Sequence, residues 1–298
     1  MCMINSDQPE ARYINPMTDF GFKKVFGDEA VMTAFLTDLL KPASPITHIT
    51  FLDKELQPAN ALERGVIYDL LCKTEDGREF IVEMQNKGQT HFSDRILYYL
   101  SRSIAPQGER GLVEDKRPDG RIQYRNWDFE LRPVYGIFFM NFHLKNFERK
   151  PLRTIEFVVR ETGEVFSDKM RAYTIELSCF NKTQEECSDD LDYWTYILNH
   201  MEMIQTTLPF INEKPIFQRI GDIAELAKMP TDERETYRRS LDAYRSNAAT
   251  YAYERAEGRA EGRAEGIIET ARNMKENGVA LEIIQKCTGL SPEVIATL

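Results

Sequence analysis

The stretch Val66–Asn86, VIYDLLCKTEDGREFIVEMQN, constrains this chain more than any other. Two runs of β-branched, aliphatic and aromatic residues flank Asp76-Gly77, a pair that tolerates the backbone angles of a tight reversal, so the stretch spells a β-hairpin. Loop length then decides which side chains face one another. A two-residue loop would set Leu70 opposite Glu83, an apolar neighbour for a carboxylate, because a one-residue slip exchanges the faces of a strand. A three-residue loop puts Glu75 and Asp76 in a type I turn and Gly77 in the left-handed region that glycine occupies freely, and it pairs Thr74 with Arg78. One face then carries Tyr68/Met84, Leu70/Val82 and Cys72/Phe80. The other carries Ile67/Gln85, Asp69/Glu83, Leu71/Ile81 and Lys73/Glu79.

In this register Asp69 stands opposite Glu83, about 5 Å away at Cβ, where like charges destabilise the pair. A cation between them would remove the repulsion. A hard divalent ion such as Mg2+ or Mn2+ suits the place, because it takes oxygen ligands, needs only one or two protein carboxylates, and leaves further positions to water and substrate phosphate. The main-chain carbonyl of Met84 is a candidate third ligand. The plain alternative is two strand carboxylates that face water and do nothing.

The order Asp69, then Glu83-Met84-Gln85, follows an N-terminal helix bearing Asp19-Phe20-Gly21-Phe22-Lys23-Lys24. This pattern resembles the PD-(D/E)xK nuclease superfamily. More narrowly it resembles the recombination-promoting nuclease (Rpn) family, whose members are often labelled transposases and use a Glu-x-Gln form of the signature. The resemblance runs from Asn15 to Phe180. It implies an α/β fold, a restriction-endonuclease-like mixed sheet flanked by helices, followed by an α-helical C-terminal region. It also implies a Mg2+- or Mn2+-dependent endodeoxyribonuclease that hydrolyses phosphodiester bonds and is associated with mobile DNA or recombination. Asp69 and Glu83, with Met84, would hold the metal, and Gln85 would stand in the place of the superfamily lysine. An amide orients a water but brings no positive charge, so this departure bears on the rate. Asp19 would point an extra carboxylate into the site, or else serve only as a helix cap. The rival reading is a catalytically degenerate nuclease-fold protein that binds DNA or protein.

DNA as a partner sets a condition on charge. Proteins that coat nucleic acid neutralise phosphates with an overall basic surface, whereas this chain of 298 residues carries a net charge of -10. Contact with DNA must therefore be local. A helix over His91–Ala105 buries Phe92, Ile96, Leu100 and Ile104 and presents Arg95, Tyr98, Tyr99 and Arg102 on another stripe. The family also places an Arg and a Tyr here. Arg95 and Arg102 would grip phosphate oxygens, or the stripe is simply a solvated helix face.

Elsewhere the pattern predicts helices over Asp19–Phe26, stopped by Gly27, and from an Asp28 cap through Leu40, then a strand over Ile46–Leu56. Gly108–Trp127 reads as a long polar loop of the kind that forms active-site flaps. Val134–Phe142, Ile155–Arg160 and Tyr173–Phe180 read as strands, the first central because it is almost continuously apolar. From Ser188 onward the chain is helical. Arg255–Gly266 repeats Arg-Ala-Glu-Gly three times; with glycine costing about 1 kcal/mol per helical position, it reads as a marginal, solvated helical spacer. Glycine stops at Gly278 and Gly289 shape a helix-turn-helix-like tail, or a dimerising hairpin that would make the protein a homo-oligomer through its C-terminal helices. The expected domains are a nuclease-like domain over 1–186, a helical region over 187–253, the spacer over 254–266 and the tail over 267–298. No apolar run approaches the roughly 18 residues of a membrane span, and the N-terminus lacks a secretory pattern, so no membrane partner is expected. Five scattered cysteines and four dispersed histidines suit neither a zinc spacing nor a disulfide framework, and a cytoplasmic location is expected.

Overall fold

Thr18 begins the first helix by accepting from the main-chain N–H of Gly21, and Asp28 begins the second by accepting from that of Val31. These short polar side chains take orphan amide protons that the helix cannot pair itself. The computed structural model describes residues 11–43, 45–53, 55–56, 66–109, 112–116, 119 and 121–298. In chain order the elements are α1 (Asp19–Phe26), α2 (Glu29–Leu40), β1 (Ile49–Phe51), β2 (Glu55–Leu56), β3 (Val66–Ile67), β4 (Leu70–Thr74), β5 (Glu79–Gln85) and α3 (Phe92–Glu109). They continue with β6 (Leu112–Lys116), β7 (Ile122–Asn126), β8 (Val134–Met140), β9 (Leu152–Val158), β10 (Val165–Glu176), α4 (Asp190–His200), α5 (Ile216–Ala224), α6 (Thr231–Glu276), α7 (Leu281–Thr288) and α8 (Pro292–Thr297).

Six strands form a mixed sheet in the order β1-β4-β5-β8-β10-β9. β8 lies between β5 and β10 and runs parallel to both, and every one of its residues is buried, as its continuous apolar run requires. The hairpin has the expected register, Leu70 to Val82 through Lys73 to Glu79. Its loop is the three-residue one: Thr74 N–H donates to the Arg78 carbonyl at 3.0 Å, and Gly77 has a φ of +87°.

Both faces of the sheet are covered. On one side α3 packs Phe92, Ile96 and Leu100 against Leu71, Ile81 and Phe138. On the other side an aromatic cluster joins α1, α2, α4 and β8, with ring centroids 5.2 Å apart for Phe26 and Phe139 and 5.3 Å for Phe35 and Trp194. The buried Trp194 indole donates to Asp38 at 2.7 Å, and Lys214 balances that carboxylate. This is an α/β fold: a mixed sheet flanked by helices, with a helical C-terminal region.

Four local expectations need correction. The strand expected over Ile46–Leu56 is two short ones, β1 on the main sheet and β2 paired with β3; the return through Gly65 lies outside the described residues. The polar stretch Gly108–Trp127 is not a structureless loop, because β6 and β7 pair antiparallel within it. Polar composition hid two strands of five residues each. The strand expected over Tyr173–Phe180 starts earlier and gives way at Leu177–Cys179 to a 3-10 turn. Tyr68, expected to share a face with Leu70 and Cys72, is buried instead in the α3 cluster with Leu71 and Ile81. The cause is a bend at Asp69 between β3 and β4, which breaks the period-2 alternation.

The chain divides into two compact units, Met1–Leu241 and Asp242–Leu298. In the second, the exposed Arg-Ala-Glu-Gly tract is helical throughout as part of α6. Ala271, Ile284 and Ile295 make a small core there, and Gly278 and Gly289 close their helices at positive φ. Among the described residues no helix is long and apolar enough to cross a membrane.

Candidate active site

Asp69 and Glu83 interlock. The main-chain N–H of Asp69 donates to Glu83 Oε1 at 2.9 Å, and the N–H of Met84 donates to Asp69 Oδ2 at 2.9 Å. Just beyond the end of the β4–β5 ladder, each carboxylate therefore accepts a backbone N–H from across the hairpin, and the two acids are fixed side by side. Glu83 lies inside β5 with 1% of its surface exposed, while Asp69 is partly buried in the bend outside β4.

Burial sets the electrostatics. It raises the Glu83 carboxyl, which the neighbouring Asp69 charge raises further, up to about 8. Burial raises Asp69 as well, opposed by the Met84 N–H and by the nearby charge of Lys23. Both acids therefore hold their protons to a higher pH than an ordinary carboxylate does. Such a pair fits a hard divalent ion: two oxygen donors of like charge, whose nearest cationic atom on Glu83 is Arg95 Nη2 at 3.5 Å. Asp69 and Glu83 could hold such an ion, with the Met84 carbonyl as a candidate third donor.

α3 supplies that cation by geometry the sequence only half reveals. Phe92, Ile96 and Leu100 pin one stripe of α3 to the sheet, and this turns Arg95 and Tyr99 toward the C-terminal end of β5. Arg95 Nη1 donates to Gln85 Oε1 at 3.2 Å and Nη2 donates to the Tyr99 hydroxyl at 2.7 Å, while Gln85 Nε2 donates to Glu83 Oε2 at 3.0 Å. The Tyr99 ring also lies 4.9 Å from the guanidinium carbon, a cation–π contact. Arg95 thus folds back onto the acidic pair instead of extending along a solvated face. Tyr98 is 44% exposed, with its ring centroid 6.5 Å from that of Tyr99. Arg102 is partly buried, and its charge reaches the hydroxyl of Tyr68, which donates to the Tyr99 carbonyl and pairs with Ser103 at 3.1 Å.

The N-terminus of α1 borders the site. Asn86 Nδ2 donates to the Met17 carbonyl at 2.7 Å, tying the residue after β5 to the turn before α1. Gly21 allows this turn to lie close, because a Cβ there would stand 2.1 Å from the Asn15 carbonyl oxygen. Thr18 is the cap, so Asp19 is not needed for that task; its side chain is 67% exposed and pairs with Lys23. Both Asp19 and Lys23 lie near enough for their charges to act on Asp69. Lys23 was visible in the sequence only as part of a helical motif.

A family model described as PD-(D/E)XK nuclease family transposase matches residues 16–254. Comparison with curated proteins and with solved structures gives no match. The matched span contains α1, the Asp69 bend, β5 and α3, the elements that converge on the two interlocked carboxylates, and the chain belongs to the PD-(D/E)XK nuclease family transposases.

Proposed function

We propose that this protein is a divalent-metal-dependent DNA endonuclease that hydrolyses phosphodiester bonds in connection with mobile DNA. The observation that carries the reading is the buried Glu83 beside Asp69: burial raises the proton affinity of both acids, the Asp69 charge raises that of Glu83 further, and a dication would offset both effects. Bound Mg2+ or Mn2+ would lower the pKa of a water and stabilise charge on phosphoryl oxygens. The chain's own residues do the rest. Gln85 is oriented from both ends, by Glu83 and by Arg95, so its amide is preset to position a water. Arg95 brings the positive charge that an amide lacks, held in place by Tyr99. The charge of the superfamily lysine is thus supplied from α3.

The test is conversion of supercoiled plasmid to nicked or linear forms by the full chain with Mg2+ or Mn2+. Cleavage should vanish in Asp69→Asn and in Glu83→Gln while each variant stays folded. A wild-type protein that binds DNA but leaves plasmid intact with either ion would overturn the enzyme reading. It would favour the second one, a degenerate nuclease-fold binding protein, for which the amide at Gln85 is the specific observation.

A further inference from the structure

A second group of chemically able side chains gathers on the main sheet, apart from the acidic pair. In the parallel ladders Gln85, Met140 and Glu176 are register partners, so Glu176 ends β10 on the sheet face that bears Gln85, two strands away. The 3-10 turn after β10 brings Cys179 back, and its thiol donates to Glu176 Oε2 at 3.0 Å. The chain leaving β8 brings His143 Nδ1 within 2.9 Å of the same oxygen. The other oxygen, Oε1, is occupied by the Arg153 guanidinium from β9 and by the Leu144 N–H at 3.5 Å. Glu176 itself is fully buried, at 0% exposure.

We propose that His143 Nδ1, Glu176 Oε2 and Cys179 Sγ form a binding site for a zinc-type divalent cation, distinct from the Asp69–Glu83 pair. The three donor atoms lie within 4.8 Å of one another. A tetrahedral ion ligated at about 2.0–2.3 Å separates its donors by roughly 3.3–3.7 Å, a range bracketed by the 2.9 and 3.0 Å separations from Oε2 and the 4.8 Å limit. The donor set selects the ion. Imidazole, thiolate and one carboxylate oxygen suit a borderline-soft cation, whereas the all-oxygen pair at Asp69 and Glu83 suits a hard one.

The surroundings match this assignment. Arg153 and the Leu144 amide fix one carboxylate oxygen and leave the other facing nitrogen and sulfur, the outer support that orients a monodentate carboxylate ligand. The His143 side chain is 24% exposed, which gives the ion a route in and a fourth position open to water. On binding, the Cys179 S–H bond breaks, Sγ bonds to the cation, and the proton passes to solvent. The ion then ties the end of β8 to the end of β10.

The full chain, stripped of metal, is titrated with Co2+. The expected result is a thiolate-to-cobalt charge-transfer band in the near ultraviolet, erased when Zn2+ is added. Cys179→Ser should lose that band, and His143→Gln should weaken Zn2+ affinity by at least about 10-fold. Asp69→Asn should keep the band, which separates this site from the acidic pair. Far-ultraviolet circular dichroism checks that each variant is folded. The proposal is overturned if wild-type protein shows only the weak visible absorption of oxygen-ligated cobalt, or if the band persists in Cys179→Ser. Should Cys179→Ser fail to fold, His143→Gln decides, and unchanged Zn2+ affinity in that variant overturns the site.

Discussion

A carboxylate buried beside another carboxylate makes stability depend on pH, and Glu83 sets the sign. Its proton affinity rises on folding, from an ordinary value of 4.5 to about 8. The folded state therefore binds the proton more tightly than the unfolded state. In metal-free protein this stabilising contribution is fully present below about 4.5 and is lost as pH rises through about 8. Thermal melts across that range should show the melting temperature falling as pH rises, and Glu83→Gln should flatten the fall. A divalent ion reverses the trend, because it competes with protons for the same oxygens and its stabilising effect grows with pH. Arg95 is tested by activity: with its charge gone from beside Gln85, Arg95→Gln should lower kcat by about 100-fold, as loss of a preset donor does. Plasmid cleavage under single-turnover conditions measures it, and an unchanged rate would remove Arg95 from the mechanism.

At the scale of elements, the hairpin and the long helix use glycine in opposite ways. Gly77 is required by its turn, with a φ of +87° that side-chain-bearing residues rarely adopt. Gly258, Gly262 and Gly266 lie inside α6 with open space around them, so their cost in helix propensity has no packing return. Replacing all three by alanine should stabilise the tract by about 0.5–1 kcal/mol per position. Slower hydrogen exchange of the amides in that tract is the readout. Unchanged exchange would mean that the Arg-Ala-Glu-Gly tract is held by something other than its own propensity.

For the whole molecule, the start of α6 belongs to the sheet-bearing unit. Tyr237 accepts from the Asn15 N–H at 2.9 Å, Ser240 accepts from the Phe20 N–H at 3.1 Å, and Glu233 pairs with Lys24 at 2.6 Å. All three contacts brace the segment that carries Thr18, Asp19 and Lys23 beside the site. A chain ending at Leu241 should keep its melting temperature and its response to Mn2+. One ending at Pro230 loses buried Tyr237 and should melt roughly 5–10 °C lower. Equal melting of the two truncations would show that these contacts contribute little.

The hairpin register was legible from residues alone, because a turn of fixed length and a period of two leave one arrangement that keeps Glu83 away from Leu70. The cap at Asp28 and the central place of β8 were legible for the same reason: each depends on a few neighbouring residues or on one continuous apolar run. The closeness of Asp69 to Glu83 was legible, but the geometry that joins them was not. A local bend took Asp69 out of its strand and Tyr68 to the other face, and no residue type announces that bend. The direction of Arg95 followed from which stripe of α3 the core claimed. His143 and Cys179, distant in sequence, meet at Glu176 only because β8 and β10 lie side by side and end at the same edge. Patterning acts over a few residues and sets what each element is; where separate elements bring their charges together is set by packing, and only the tertiary structure decides it.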